Sequence, residues 1–254
     1  MDRKRIVENI VAPLVGLAAF IGIWYAAAAW IGVSIILPSP TETLSSFFRL
    51  LGSSVFYVAV GHTLLRTILS FLVAFFLACV FAFLSKISAF FRNAFSPIAI
   101  IMRVLPTISV ILLVLIWFKS ATAPFVITFI VIFPMLYTTV LNASDGVDKN
   151  LVEMGRVYGF SRLKLFSRIY VPQMTPAVLT GVGITLSFSV KLTVAAEVLS
   201  STKESMGRYM QSSSAYIETA NLLAWTIGAI LLGFLLETAV LLIKKKTTGW
   251  YYGK

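Results

Sequence analysis

One cysteine, one histidine and ten acidic side chains in 254 residues leave little raw material for catalysis. The lone Cys79 permits no internal disulfide, and mid-way along an apolar run a thiol packs as a small apolar group. A single His62 excludes a histidine-rich metal site. Scattered acids do not complete a catalytic pair with it, so a membrane enzyme is set aside. No phosphate loop ending in Gly-Lys-Ser/Thr occurs, so any ATP used is bound by another polypeptide. The period-two alternation of a membrane β-barrel is also missing.

What is there is apolar length. Hydrophobic residues make up 59% of the chain, charged residues 12%, and the mean hydropathy is +0.93. Those values exclude a soluble globular domain. A helix needs about 20 apolar residues to cross the hydrocarbon. Six segments qualify: 10–36, 55–84, 95–118, 121–141, 176–199 and 220–243. In lipid every backbone group needs an internal partner, so the expected fold class is all-α, one six-helix transmembrane domain over 1–254. The basic N-terminus followed by apolar residues mimics a signal peptide, but the apolar stretch to Leu37 is too long, which favours a retained helix.

The net charge of +11 reads as an insertion signal, since no base-reading or base-stacking pattern accompanies it and no nucleic acid is expected. With the N-terminus inside, Arg3, Lys4, Arg5, Lys86, Arg92, Lys149, Arg156, Arg162, Lys164, Arg168, Lys244, Lys245, Lys246 and Lys254 fall inside. Only Arg49, Lys119, Lys203 and Arg208 fall outside. Both termini and the 142–175 loop are therefore expected in the cytoplasm. After Leu37-Pro38-Ser39-Pro40, Ser39 and Glu42 have capping-box spacing, and Leu44, Phe47, Phe48 and Leu51 share one face of a short helix. Pro97, Pro106, Pro124 and Pro134 predict kinked third and fourth spans.

The 142–175 loop is basic, amphipathic and punctuated. Asn150 with Glu153 has the spacing of a capping box for a helix to Tyr158, and Gly159 is placed as a left-handed stop. Ser161 can cap a second helix that Pro172 ends, with Thr175 and Pro176 opening span five. Tyr158, Phe160, Leu163 and Phe166 would then project from a rigid knob. The plainer alternative is an amphipathic segment lying on lipid headgroups through Arg156, Arg162, Lys164 and Arg168.

Glu153-Met154-Gly155, Gly159, Ile169, Val171 and Pro172 resemble, in every interval, the EAA motif of permease subunits in bacterial ATP-binding-cassette importers. Met154, Gly155 and Val171 depart from the consensus letters. Further likeness lies in Leu37–Pro40, Arg66, Arg103–Pro106, Leu115–Phe118, Phe133-Pro134, Ala196-Glu197 and Gly207, and looks like the nitrate, sulfonate and taurine branch. The resemblance implies a coupling loop seated on a cytoplasmic ATPase, with Glu153, Met154, Gly155, Tyr158, Gly159, Phe160, Leu163 and Pro172 at or near that contact. In particular it implies an acid facing the partner and small residues permitting its close approach. It also implies two permease copies, two ATPases that bind the ATP and Mg, no cofactor in this chain, an extracytoplasmic solute-binding protein and a bacterial inner membrane.

Charges within spans are costly and must face protein, a partner or water. Arg66 and Arg103 read as structural partners of carbonyls or acids, or as snorkelling groups, and Glu237 as neutralising a nearby base. Lys191 either faces the pathway and attracts an anionic solute, or forms a buried ion pair. Glu197, six positions on, is off its helical face. Ser187, Thr193, Glu197 and Arg103 are further candidates for the path. The competing class is an autonomous channel or secondary transporter, which leaves the ordered loop unexplained.

Overall fold

The computed structural model describes the backbone of residues 11–252 and the side chains of residues 11–247. Arg3, Lys4, Arg5 and Lys254 of the charge bias lie outside the described residues. Among those described there is no strand. Five helices are long and apolar enough to cross a membrane: Ala12–Ile31, Ser54–Ile87, Ala123–Asp145, Arg162–Ser200 and Thr219–Thr247. A sixth crossing exists if the bent pair Ala89–Val104 and Thr107–Trp117 is counted as one.

In chain order these are α1 (Ala12–Ile31), α2 (Pro40–Leu51), α3 (Ser54–Ile87), α4 (Ala89–Val104), α5 (Thr107–Trp117) and α6 (Ala123–Asp145). Then follow α7 (Lys149–Val157), α8 (Arg162–Leu165), a π turn (Phe166–Tyr170), α9 (Val171–Ser200), α10 (Met206–Ala215) and α11 (Thr219–Tyr252).

The third span is broken rather than kinked. Pro106 has no N–H and holds Leu105 extended, at φ −53° and ψ 130°, so α4 stops and α5 starts afresh at 96° to it. Ser88 ends α3 and caps α4, its hydroxyl accepting from the Phe91 N–H at 3.2 Å. At the other end of the molecule the expected box is present: Glu42 N–H donates to Ser39 Oγ, and Ser39 N–H donates to Glu42 at 2.8 Å. Of that helix's expected apolar face, Phe47 is buried while Leu44 and Phe48 stay exposed.

The core lies between α3, α6 and α9. Ala74, Ala78 and Ala82 form a small-residue stripe on α3 against Ile132, Leu136 and Val140 of α6. Where α4 crosses, Phe81, Phe95, Phe133 and Tyr137 pack edge to face. Half-buried Cys79 belongs to this packing. By contrast no residue of α1 is buried, and Trp24 Nε1 donates to the Pro38 carbonyl at 3.0 Å.

Span five begins earlier than expected. Pro172 does not end a helix and Thr175 does not cap one, because the chain stays helical from Arg162 to Ser200. Thr175 instead sits within α9, its hydroxyl donating to the Val171 carbonyl at 2.7 Å. The π turn is the reason. Pro172 would clash with the Arg168 carbonyl in a regular helix, and the wider turn over Phe166–Tyr170 removes the clash.

Candidate functional site

The loop between α6 and α9 folds into a knob with its own small core. The cap of α7 is Asp148, not Asn150: its carboxylate accepts from the Asn150 N–H at 2.8 Å. Asn150 stands one residue inside the helix, so Glu153 reaches back to nothing and is exposed without a hydrogen bond or ion pair among the described residues. Gly159 takes φ +72° after Tyr158, the left-handed stop expected. Ser161 caps α8 as expected, accepting from the Lys164 N–H.

Val147, Val152, Leu165 and Ile169 are buried together, with Phe160, Tyr170 and Met174 around them. Gly155 is at their centre. A Cβ there would lie 2.7 Å from Leu165 Cδ2 and 2.8 Å from Ile169 Cδ1. Its smallness is used inside the loop, where the resemblance had placed it against a partner. Phe160 also turns inward, beneath the Lys164 ammonium at 4.4 Å from its ring centre. Phe166 leans edge-on against Phe83 of α3 at 6.4 Å. The side chains that do project are Met154 (49% exposed), Val157 (87%), Tyr158 (76%) and Leu163 (77%). Pro172 is half-buried in the first turn of α9.

The knob is braced to the bundle. Asp145 accepts from Lys86 at 2.9 Å and from Arg92 at 2.7 Å, tying the end of α6 to α3 and α4. Lys86 also donates to the Ser144 carbonyl at 3.0 Å, and its ammonium lies 5.8 Å from the Tyr170 ring centre. Gln173 Oε1 accepts from the Asp148 N–H at 2.9 Å, joining the start of α7 to α9.

At the opposite end Glu197 is fully buried and has three donors. Arg66 Nη1 lies 2.9 Å away, the Thr63 hydroxyl 2.9 and 3.1 Å from its two oxygens, and the Gly207 N–H 3.3 Å. Thr63 in turn accepts from the Met206 N–H at 3.1 Å. Gly207 has no alternative there, since a Cβ would come within 2.6 Å of the Val194 carbonyl. Thr193 is buried as well, sharing a hydrogen bond with Thr128 at 3.0 Å. Both residues are helix-packing groups in this conformation, apart from any open surface. Ser187 is half-buried, while Arg103 and Lys191 are exposed with no partner among the described residues. Glu237, expected to neutralise a base, has no ion pair among the described residues.

Residues 70–248 match the model of the binding-protein-dependent transport system inner membrane component family. The chain belongs to that family. This permease is 24% identical over 242 residues to the taurine transport system permease protein of Escherichia coli K12, covering 92% of this chain and 88% of that one. It is 24% identical to the putative aliphatic sulfonates permease of the same organism, covering 94% of this chain and 92% of that one. To the nitrate import permease of Synechocystis it is 25% identical, covering 75% and 72%. In fold the permease is similar to the MetNI methionine transporter in an inward-facing conformation, with a TM-score of 0.65 at 18% identity over 75% of this chain and 94% of that one. A bacterial alginate importer gives a TM-score of 0.65 at 17% identity over 96% and 98%.

Sequence reasoning passed over Asp148 because the spacing from Asn150 to Glu153 offered a fuller box. It also missed Asp145 and Thr63 as partners, since neither the α6 terminus nor a lone hydroxyl in the permease's second span announces a contact over 50 positions or more.

Proposed function

We propose that two copies of this permease form the translocation pathway of an importer driven by a separate ATPase that docks on the knob. The carrying observation is continuity. One helix runs from Arg162 in the knob to Ser200 at the far end of span five, 39 residues or about 58 Å. A force on Leu163 therefore reaches the centre of the bundle without crossing a flexible joint.

In this reading the knob and both chain ends face the bacterial cytoplasm, as the placement of basic residues supports. Tyr158, Leu163, Met154 and Val157 fill a groove on the ATPase, and Glu153 meets it as an unpaired acid. Two ATPases bind the ATP and Mg. Closure of the ATPase pair brings the two knobs together and turns the cavity outward, and product release resets it. The docking energy differs between the two states, as any ligand-driven switch requires. An extracytoplasmic binding protein delivers the solute, a small anion of the sulfonate, taurine or nitrate kind or a vitamin precursor. The permease relatives support this class.

The test is purification of the intact assembly, with mass spectrometry of its companion proteins and bound small molecule. An ABC ATPase should co-purify and respond to the loaded binding protein, and Leu163→Asp should lose it. Solute flux through vesicles holding this chain alone would overturn the reading in favour of an autonomous channel.

A further inference from the structure

The stripe of α9 that no other helix covers carries a lysine. Along that helix Ile184, Lys191 and Leu199 are exposed, and Ser187, Phe188, Ala195 and Val198 are half-buried beside them. The remaining faces are packed, with Val182, Leu186, Val190 and Thr193 among the residues buried there. A helix on the lipid surface looks different, as α1 does with no buried residue at all. The open part of α9 is a narrow slot in an enclosed helix.

Lys191 has no hydrogen bond and no ion pair among the described residues. It cannot escape to an interface. Nine residues separate it from Ser200, about 14 Å along the axis, against a side-chain reach of about 6 Å. Nor does an acid wait for it. Glu42, Asp145, Glu197, Glu204 and Glu218 have partners, and Asp148 caps α7. Glu237 is the remaining described acid in a span. Its Cγ lies 4.0 Å from where a Cβ on Gly183 would be, eight residues from Lys191 and so about 12 Å away along α9. A second copy related by a two-fold axis along the bilayer normal presents its own Glu237 at that same depth. It is out of reach there too.

An unpaired ammonium near the middle of a span is stable only against water or an anion. We propose that Lys191 lines the solute pathway and selects for anions, with Ser187 one turn away on the same stripe. The inference rests on the importer reading and adds the residue that reads the solute's charge.

The test uses the complete transporter in membrane vesicles, with Cys79→Ala to remove the other thiol and Ser187→Cys as the reporter. Two thiosulfonate reagents are compared, one carrying a sulfonate and the other a trimethylammonium. With Lys191 in place, Cys at 187 should react with both, and the rate ratio should favour the sulfonate about tenfold more than it does in Lys191→Met. Lys191→Met should slow the sulfonate and speed the cation by roughly threefold each, the Coulomb effect of one charge about 6 Å away in water. Lys191→Arg should keep the wild-type ratio, which controls for misassembly of the methionine variant. Failure of both reagents to label would mean a dry stripe and would overturn the proposal. An unchanged ratio in Lys191→Met would overturn it equally. ATPase coupling in the same vesicles reports separately on the importer reading.

Discussion

Arg66 and Glu197, 131 positions apart, meet at 2.9 Å and join the second span to the fifth. Glu197 is fully buried and the Arg66 side chain 18% exposed, so the pair is shielded from water. Removing one partner strands the other. Arg66→Ala is expected to destabilise the fold by about 3–5 kcal/mol, while the double replacement by methionine should recover much of that loss. Thermal unfolding of the purified permease in detergent, compared across single and double variants, measures the difference. Equal losses for single and double variants would contradict the pairing.

Much of this lock was readable in advance as parts but not as a contact. A charge inside a span demands a partner, so Arg66 and Glu197 both stood out. Pairing them needed the helix packing, in which Gly207 lets α10 lie directly against Glu197 of α9. Local signals fared better: Ser39 with Glu42 and Gly159 follow from backbone chemistry over four residues or fewer. Pro172 misled because proline reads as a terminator. A widened turn one step upstream let the helix pass through it.

Gly155 sets how closely α7 packs on Leu165 and Ile169. Gly155→Val is expected to cost about 1–3 kcal/mol by overpacking and to tilt α7 away from the knob. ATPase stimulation by the loaded binding protein should fall with it. Adding Leu165→Ala opens space for the new side chain, and part of the stimulation should return. A glycine needed only for partner contact would show no such rescue.

Asp148 caps α7 with one charged acceptor. Asp148→Ala should weaken that helix by about 1 kcal/mol, and Asp148→Asn by far less, since asparagine caps almost as well. Hydrogen exchange reads this directly: amides at Asn150 and Leu151 should open about fivefold faster in the alanine variant. Asn150→Ala should leave those rates unchanged, because its side chain caps nothing.

Asp145 offers the opposite balance to Glu197. It holds two bases, Lys86 and Arg92, yet these groups are between a third and a half exposed. Water and salt screen such pairs, which limits each to about 1 kcal/mol or less. Asp145→Asn should therefore lower stability much less than Arg66→Ala does. Its effect on coupling should be larger than its effect on stability, because Asp145 ties α6 to α3 where the knob departs from the bundle. Raising the ionic strength should shrink the gap between wild type and Asp145→Asn in unfolding, while leaving the cost of Arg66→Ala unchanged. No gap at any ionic strength would mean that the Lys86 contact to the Ser144 carbonyl, and not the carboxylate, carries the brace.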